Sequence, residues 1–158
     1  MRSRTAKWFE CAVSYDKTHE DGLTKKTTER IALDALSFSE AETCAIEEMT
    51  PFTSGELEVT TIQIAAYKEV FFSDDSKADK WFKVKVAFIT IDEKTAKEKR
   101  QKVTYLVQAS SSENALANTN EGFKGSMSDY EIVDVNETKI LDVYEHIAKK
   151  EEKADGEE

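Results

Sequence analysis

Two stretches decide the fold: Lys7-Trp8-Phe9-Glu10-Cys11-Ala12-Val13-Ser14-Tyr15 and Lys80-Trp81-Phe82-Lys83-Val84-Lys85-Val86-Ala87-Phe88. Phe9, Cys11, Val13 and Tyr15 alternate with smaller or polar residues in the first, as do Phe82, Val84, Val86 and Phe88 in the second. Such alternation marks a half-buried strand, because successive side chains leave a strand on opposite faces. The Trp-Phe pair recurs at a shift of 73 residues, from Trp8 to Trp81. The chain therefore reads as two copies of one unit.

Outward from each strand lies a polar connection, Asp16 to Lys26 and Asp92 to Arg100, and then a second strand, Thr28 to Leu36 and Lys102 to Ala109. Each pair predicts an antiparallel hairpin with a long tip. A helix follows in each copy. In the first, Ser39 with Glu42 forms a capping box, Ala41, Cys44, Ala45 and Met49 follow at helical spacing, and Pro51 stops the run. In the second, Ser112 precedes Ala115, Leu116 and Phe123, although Asn114, Asn118, Thr119 and Asn120 are weak helix formers. Closing strand segments, Glu56 to Phe72 and Asp129 to Tyr144, keep the same shift, as in Glu58/Glu131 and Val59/Ile132.

The expected fold is α+β: a mostly antiparallel sheet built from two tandem ββαβ-like repeats, both helices on one face. Residues 1–148 are expected to form a single domain, with repeat one at about 5–73 and repeat two at about 78–146. Residues 149–158 carry no apolar periodicity and are expected to be a disordered acidic tail.

Hydrophobic residues make up 39% of the chain, enough for a core, and 34% are charged, with a net charge of −10, which keeps the chain soluble. No run approaches the apolar length of a membrane helix, and Met1-Arg2-Ser3-Arg4 leads into no signal-type apolar region, so a cytoplasmic location is expected. Cys11 and Cys44 are too few for a disulfide framework and read as reduced, buried small hydrophobes.

Catalytic groups are sparse. His19 and His146 have no Cys, Asp or Glu at ligand spacing, so no metal is expected. No phosphate-cradling or nucleophile-elbow motif is present, and no cofactor is expected. Glu40, Glu42, Glu47 and Glu48, and the pair Asp74-Asp75, could supply paired carboxylates, but acids at a helix start and in a loop have ordinary structural reasons. A binding protein, not an enzyme, is the expectation.

Charge is segregated along the chain. Residues 77–102 hold nine basic and four acidic side chains, and residues 1–30 hold seven and five, whereas everything else is acidic. If Phe82 and its alternates face a helix, Trp81, Lys83 and Lys85 face outward, and Trp8 does so in the first copy. Aromatic platforms among cations suit single-stranded nucleic acid, rings stacking on bases and cations meeting phosphates. The candidate face comprises Lys7, Trp8, Lys77, Lys80, Trp81, Lys83, Lys85, Lys99, Arg100 and Lys102. Set against it, such a tryptophan is as often buried, and a lysine run often only guards an exposed edge. Two alternatives stand beside this reading. One is an acidic protein-binding module or inhibitor of a host protein, using the helices and the tail acids Glu151, Glu152, Asp155, Glu157 and Glu158. The other is a structural or assembly component that self-associates through sheet edges, with a homodimer among its forms.

The strings Arg2-Ser3-Arg4-Thr5-Ala6-Lys7-Trp8-Phe9-Glu10, Asp34-Ala35-Leu36-Ser37-Phe38, Ala66-Tyr67-Lys68-Glu69-Val70-Phe71-Phe72-Ser73 and Val103-Thr104-Tyr105-Leu106-Val107-Gln108-Ala109 resemble a family of small proteins of unknown function from Bacteroidota and their phages. The resemblance covers nearly the whole chain except the acidic tail. It implies a bacterial or phage cytoplasmic setting and an accessory binding role, and it carries over no functional residue. Ser110 to Asn120 departs from a helix-bearing stretch in being unusually polar.

Overall fold

The computed structural model describes residues 6–53 and 55–145; the acidic tail 149–158, with its five candidate acids, lies outside the described residues. In chain order the elements are β1 (Lys7–Thr18), β2 (Thr24–Ala35), α1 (Phe38–Met49), a short 3-10 turn (Thr50–Phe52), β3 (Leu57–Ala65) and β4 (Tyr67–Phe71). They continue with β5 (Lys80–Ile91), β6 (Glu98–Ala109), α2 (Ser112–Gly122), β7 (Asp129–Glu137) and β8 (Ile140–Tyr144). The order ββαββ thus occurs twice.

Both hairpins form and run further than the sequence suggested, Thr18 pairing with Thr24 and Ile91 with Glu98. Helix α1 starts earlier than the capping box at Ser39 implied: Ser37 is the N-cap and its side chain accepts from the Glu40 N–H at 3.1 Å. Helix α2 forms despite its asparagines, because those polar groups close local hydrogen bonds. Ser111 caps it by accepting from Asn114 N–H at 3.1 Å, and Asn118 Nδ2 donates to the Gln108 carbonyl at 3.0 Å. The buried Thr119 hydroxyl donates to the Ala115 carbonyl at 2.7 Å.

In place of the one mostly antiparallel sheet expected, the strands form two four-stranded sheets, ordered β3-β1-β2-β8 and β4-β6-β5-β7. Each is mixed, since β8 runs parallel to β2 and β4 parallel to β6. The closing segments expected as one strand each are two, and their second halves go to the other sheet. The pairings correspond between sheets: Lys7 opposite Ala35 and Lys80 opposite Ala109, Phe9 opposite Ile64 and Phe82 opposite Glu137, Leu33 beside Tyr144 and Val107 beside Phe71. Even the register shifts correspond, between Ala12 and Val13 and between Lys85 and Val86.

Among the described residues the chain divides into two compact units, one formed by residues up to 65 together with 140–145, the other by residues 66–139. These bounds differ from the expected repeat bounds because the last strand of each ββαββ run is contributed to the other unit.

In unit 1, α1 buries Ala41, Cys44, Ala45 and Met49 against Phe9, Cys11, Val13, Tyr15, Ile31 and Leu33. Unit 2 packs Ala115 of α2 on Phe82, Val84, Val86, Tyr105 and Val107. Its smaller helix is compensated by aromatics centred on Phe123, whose ring lies 4.7 Å from Tyr130, 5.1 Å from Tyr105 and 5.8 Å from both Phe71 and Phe88. Each such side chain buried contributes about 1.5–3 kcal/mol of transfer free energy.

Candidate binding surfaces

The tryptophans are not platforms. Trp8 is 5% exposed and Trp81 2%. Trp81 packs edge-on against Phe72, centroids 5.4 Å apart, and its carbonyl accepts both the N–H and the hydroxyl of Thr138, at 2.9 and 2.8 Å. The expectation of outward stacking surfaces is thereby corrected. An indole removed from water contributes far more to the fold than a half-exposed one, and its rings offer no face to a base.

The basic residues are on the surface but not unopposed. Lys7, Lys77, Lys80, Lys85, Lys99, Arg100 and Lys102 are exposed, and Lys83 is half-buried with its ammonium 5.9 Å from the Tyr67 ring centroid. Strand order places β7 beside β5, and β7 carries Asp129, Glu131, Asp134 and Glu137. Arg100 donates to Glu131 at 2.6 Å, Lys80 lies 3.8 Å from Glu137, Lys99 lies 3.8 Å from Asp92, and Asp134 sits opposite Lys85 in the register. Exposed pairs like these add little stability, about 0–1 kcal/mol each, but they cancel positive potential where a phosphate would approach. Part of the basic run in the sequence is therefore paired with acids in the fold. Unit 1 repeats the pattern with Lys17, which reaches Glu29 at 3.1 Å.

Unit 1 gathers acid instead. Residues 31–65 contain seven Asp and Glu and no Lys or Arg. Glu40, Glu42, Glu47 and Glu48 ride on α1, and Glu56 and Glu58 stand at the head of β3, with Glu42, Glu47, Glu56 and Glu58 exposed. A cleft of about 410 Å3 opens beside that strand head, lined by Asp16, Glu56, Glu58, Lys26 and Tyr15 among others. The corresponding cleft of unit 2, about 700 Å3, is lined by Ile89, Ile91 and Tyr130 with Glu98 and Asp129. The helix acids were visible in the sequence; Glu58 alternates with Leu57 and Val59, which pack on the core that α1 covers, so it leaves the sheet on the face away from the helix. Two further acids, Glu10 and Asp34, are buried, and both have partners.

Among the described residues no group of three His, Cys, Asp or Glu is placed to hold a metal ion, and no helix is long and apolar enough to cross a membrane. Cys11 and Cys44 are both buried and free. Burial, reinforced by Cys44 and Glu10 nearby, pushes the Cys11 thiol up to about 11 from 9.0. Burial likewise raises Tyr15, whose hydroxyl donates to Glu29 at 2.8 Å, and Tyr144, each to about 12. Between pH 9 and 11 the unfolded chain gives up its Cys11 proton before the folded chain does, so stability falls as pH rises through that window. The loss from Cys11 is on the order of 2 kcal/mol, the two tyrosines extend it toward pH 12, and nothing changes from these groups below pH 9. Urea midpoints measured from pH 7 to 11 check this, with a Cys11→Ala variant expected to flatten the lower part of the decline.

No curated protein matches the chain. A family model does match, over residues 7–146, and so takes in every described strand and both helices. The chain belongs to the family described as Domain of unknown function (DUF4494).

Proposed function

We propose that this protein is an internally duplicated, non-enzymatic binding module whose first unit takes a basic protein partner on the acidic outer face of α1. The observation that carries the reading is that residues 31–65 hold seven acidic and no basic side chains, four of them, Glu40, Glu42, Glu47 and Glu48, on α1. Opposed charge speeds encounter and selects against like-charged partners. Duplication is supported by the corresponding registers and the corresponding register shifts of the two sheets. An accessory role in a bacterium or phage, implied by the sequence resemblance, belongs to the same proposal.

Reversing charge on the helix tests it. The pair Glu42→Lys with Glu47→Lys is expected to weaken binding of a labelled oligolysine peptide about tenfold in fluorescence anisotropy. The pair Glu113→Lys with Glu121→Lys on α2 makes the same change in net charge and is expected to cost about twofold at most.

A second reading, nucleic acid held by its phosphates alone, is favoured by the exposure of Lys85, Lys94, Lys97, Lys99 and Lys102 on the β5–β6 hairpin. Binding of an oligothymidylate that survives both charge reversals and falls steeply with salt would support it over the first.

A further inference from the structure

The two sheets have corresponding outer strands, β3 in one and β7 in the other, and their edges are built differently. Strand β7 is guarded: Asp129, Glu131, Asp134 and Glu137 occupy four of its nine positions. Charges on an edge strand deter pairing with another chain, because the incoming strand would have to desolvate or oppose them. Strand β3 has the same length and one charge, Glu58, at its start. The register shows where guards are missing. Thr61 stands opposite Ala12 where Asp134 stands opposite Lys85, and Ile64 opposite Phe9 where Glu137 stands opposite Phe82.

The rim beside this edge differs in the same sense. Ile64 is 50% exposed and Phe38 51%, and both flank Phe9, Phe38 by an edge-on ring contact at 5.1 Å and Ile64 as its cross-strand partner. Helix α2 begins with Ser112 where α1 begins with Phe38. Among the described residues β3 pairs with β1 alone, so its outer backbone groups face no strand. Val59, Thr60, Thr61, Ile62 and Ile64 are β-branched, and the strand holds neither Pro nor Gly.

We propose that the β3 edge docks a second copy of this chain, antiparallel, joining two four-stranded sheets across a two-fold axis. A strand pairing with itself in this way must not set like charges opposite each other. About an axis near Ile62, Glu58 of one copy meets Ala66 of the other, and Thr60 to Ile64 meet only uncharged residues. The same arrangement of β7 would crowd four acids per strand. The inference concerns the β3 edge and not the outer face of α1, and it stands or falls separately from the proposed function.

Because residues 31–65 carry only acidic charge on both copies, screening should favour this dimer, whereas a contact between an acidic and a basic surface weakens with salt. Sedimentation velocity of the full chain at about 100 µM should show a dimer that strengthens between roughly 0.05 and 0.5 M salt. Thr61→Asp with Ile64→Glu, which installs the pattern β7 already carries, should raise the dimer Kd about thirtyfold or more with an unchanged circular dichroism spectrum. Thr61→Lys alone, at an exposed position, provides a second variant and should act in the same direction. A wild-type monomer at both salt concentrations, a dimer that dissociates as salt rises, or folded variants that remain dimeric would each overturn the proposal.

Discussion

Trp81→Ala is expected to lower the stability of unit 2 by about 3–5 kcal/mol, a drop in Tm of roughly 10 °C, while leaving whatever the protein binds untouched. The side chain is 2% exposed and packed against Phe72, so its removal forfeits the transfer free energy of an indole and leaves a cavity the sheet cannot collapse into. Differential scanning calorimetry gives the magnitude. Fluorescence gives the assignment: buried indoles should emit to the blue, and an oligothymidylate should not quench them. Strong quenching with an unchanged Tm in the alanine variant would return Trp81 to the role of a stacking platform.

A second large effect follows from the exchange of strands. Truncation after Lys139 removes β8 from the end of the second ββαββ run, yet the damage should appear in the first unit. Strand β8 lies parallel to β2, with Ile140 and Val143 only 5% and 6% exposed and Tyr144 packed on the unit 1 core. Losing these residues uncovers Ala32 and Leu33 and takes away about 4–6 kcal/mol. Hydrogen exchange on the truncated chain should therefore show lost protection along β1 and β2 and retained protection along β5 and β6. Truncation after Glu145 keeps β8 and serves as the control. If protection were instead lost in β5 to β7, β8 would belong to the second unit and the sheet assignment would be wrong.

The sequence made much of this legible, and the failures have physical causes. Alternation at Phe9 to Tyr15 and Phe82 to Phe88 shows the core face directly, because that pattern is created by burial of one side. The hairpins and both helices follow from the same kind of local signal. The exchange of β4 and β8 does not, since a five-residue strand such as Tyr67–Phe71 carries no mark of which neighbour it will pair with. Parallel pairing at β2 and β6 was hidden for that reason.

Trp81 and Trp8 were misread because period two reveals the face opposite the helix but not whether that face meets water. The charge pairing of the basic hairpin was hidden for a different reason. Lys80 and Arg100 are far in sequence from Glu137 and Glu131, and only the placement of β7 beside β5 brings the opposite charges together. The unguarded edge of β3 becomes apparent only through comparison with β7, once the register sets Thr61 against Asp134 and Ile64 against Glu137.

The matched charge reversals test most directly whether the proposed partner binds on the acidic face of α1. Both double variants change net charge equally, so a difference between them reports position rather than overall attraction. Oligolysine affinity measured at one ionic strength should fall about tenfold for Glu42→Lys with Glu47→Lys and about twofold or less for Glu113→Lys with Glu121→Lys. Equal losses in the two variants, or none in either, would contradict the assignment of the binding surface to α1.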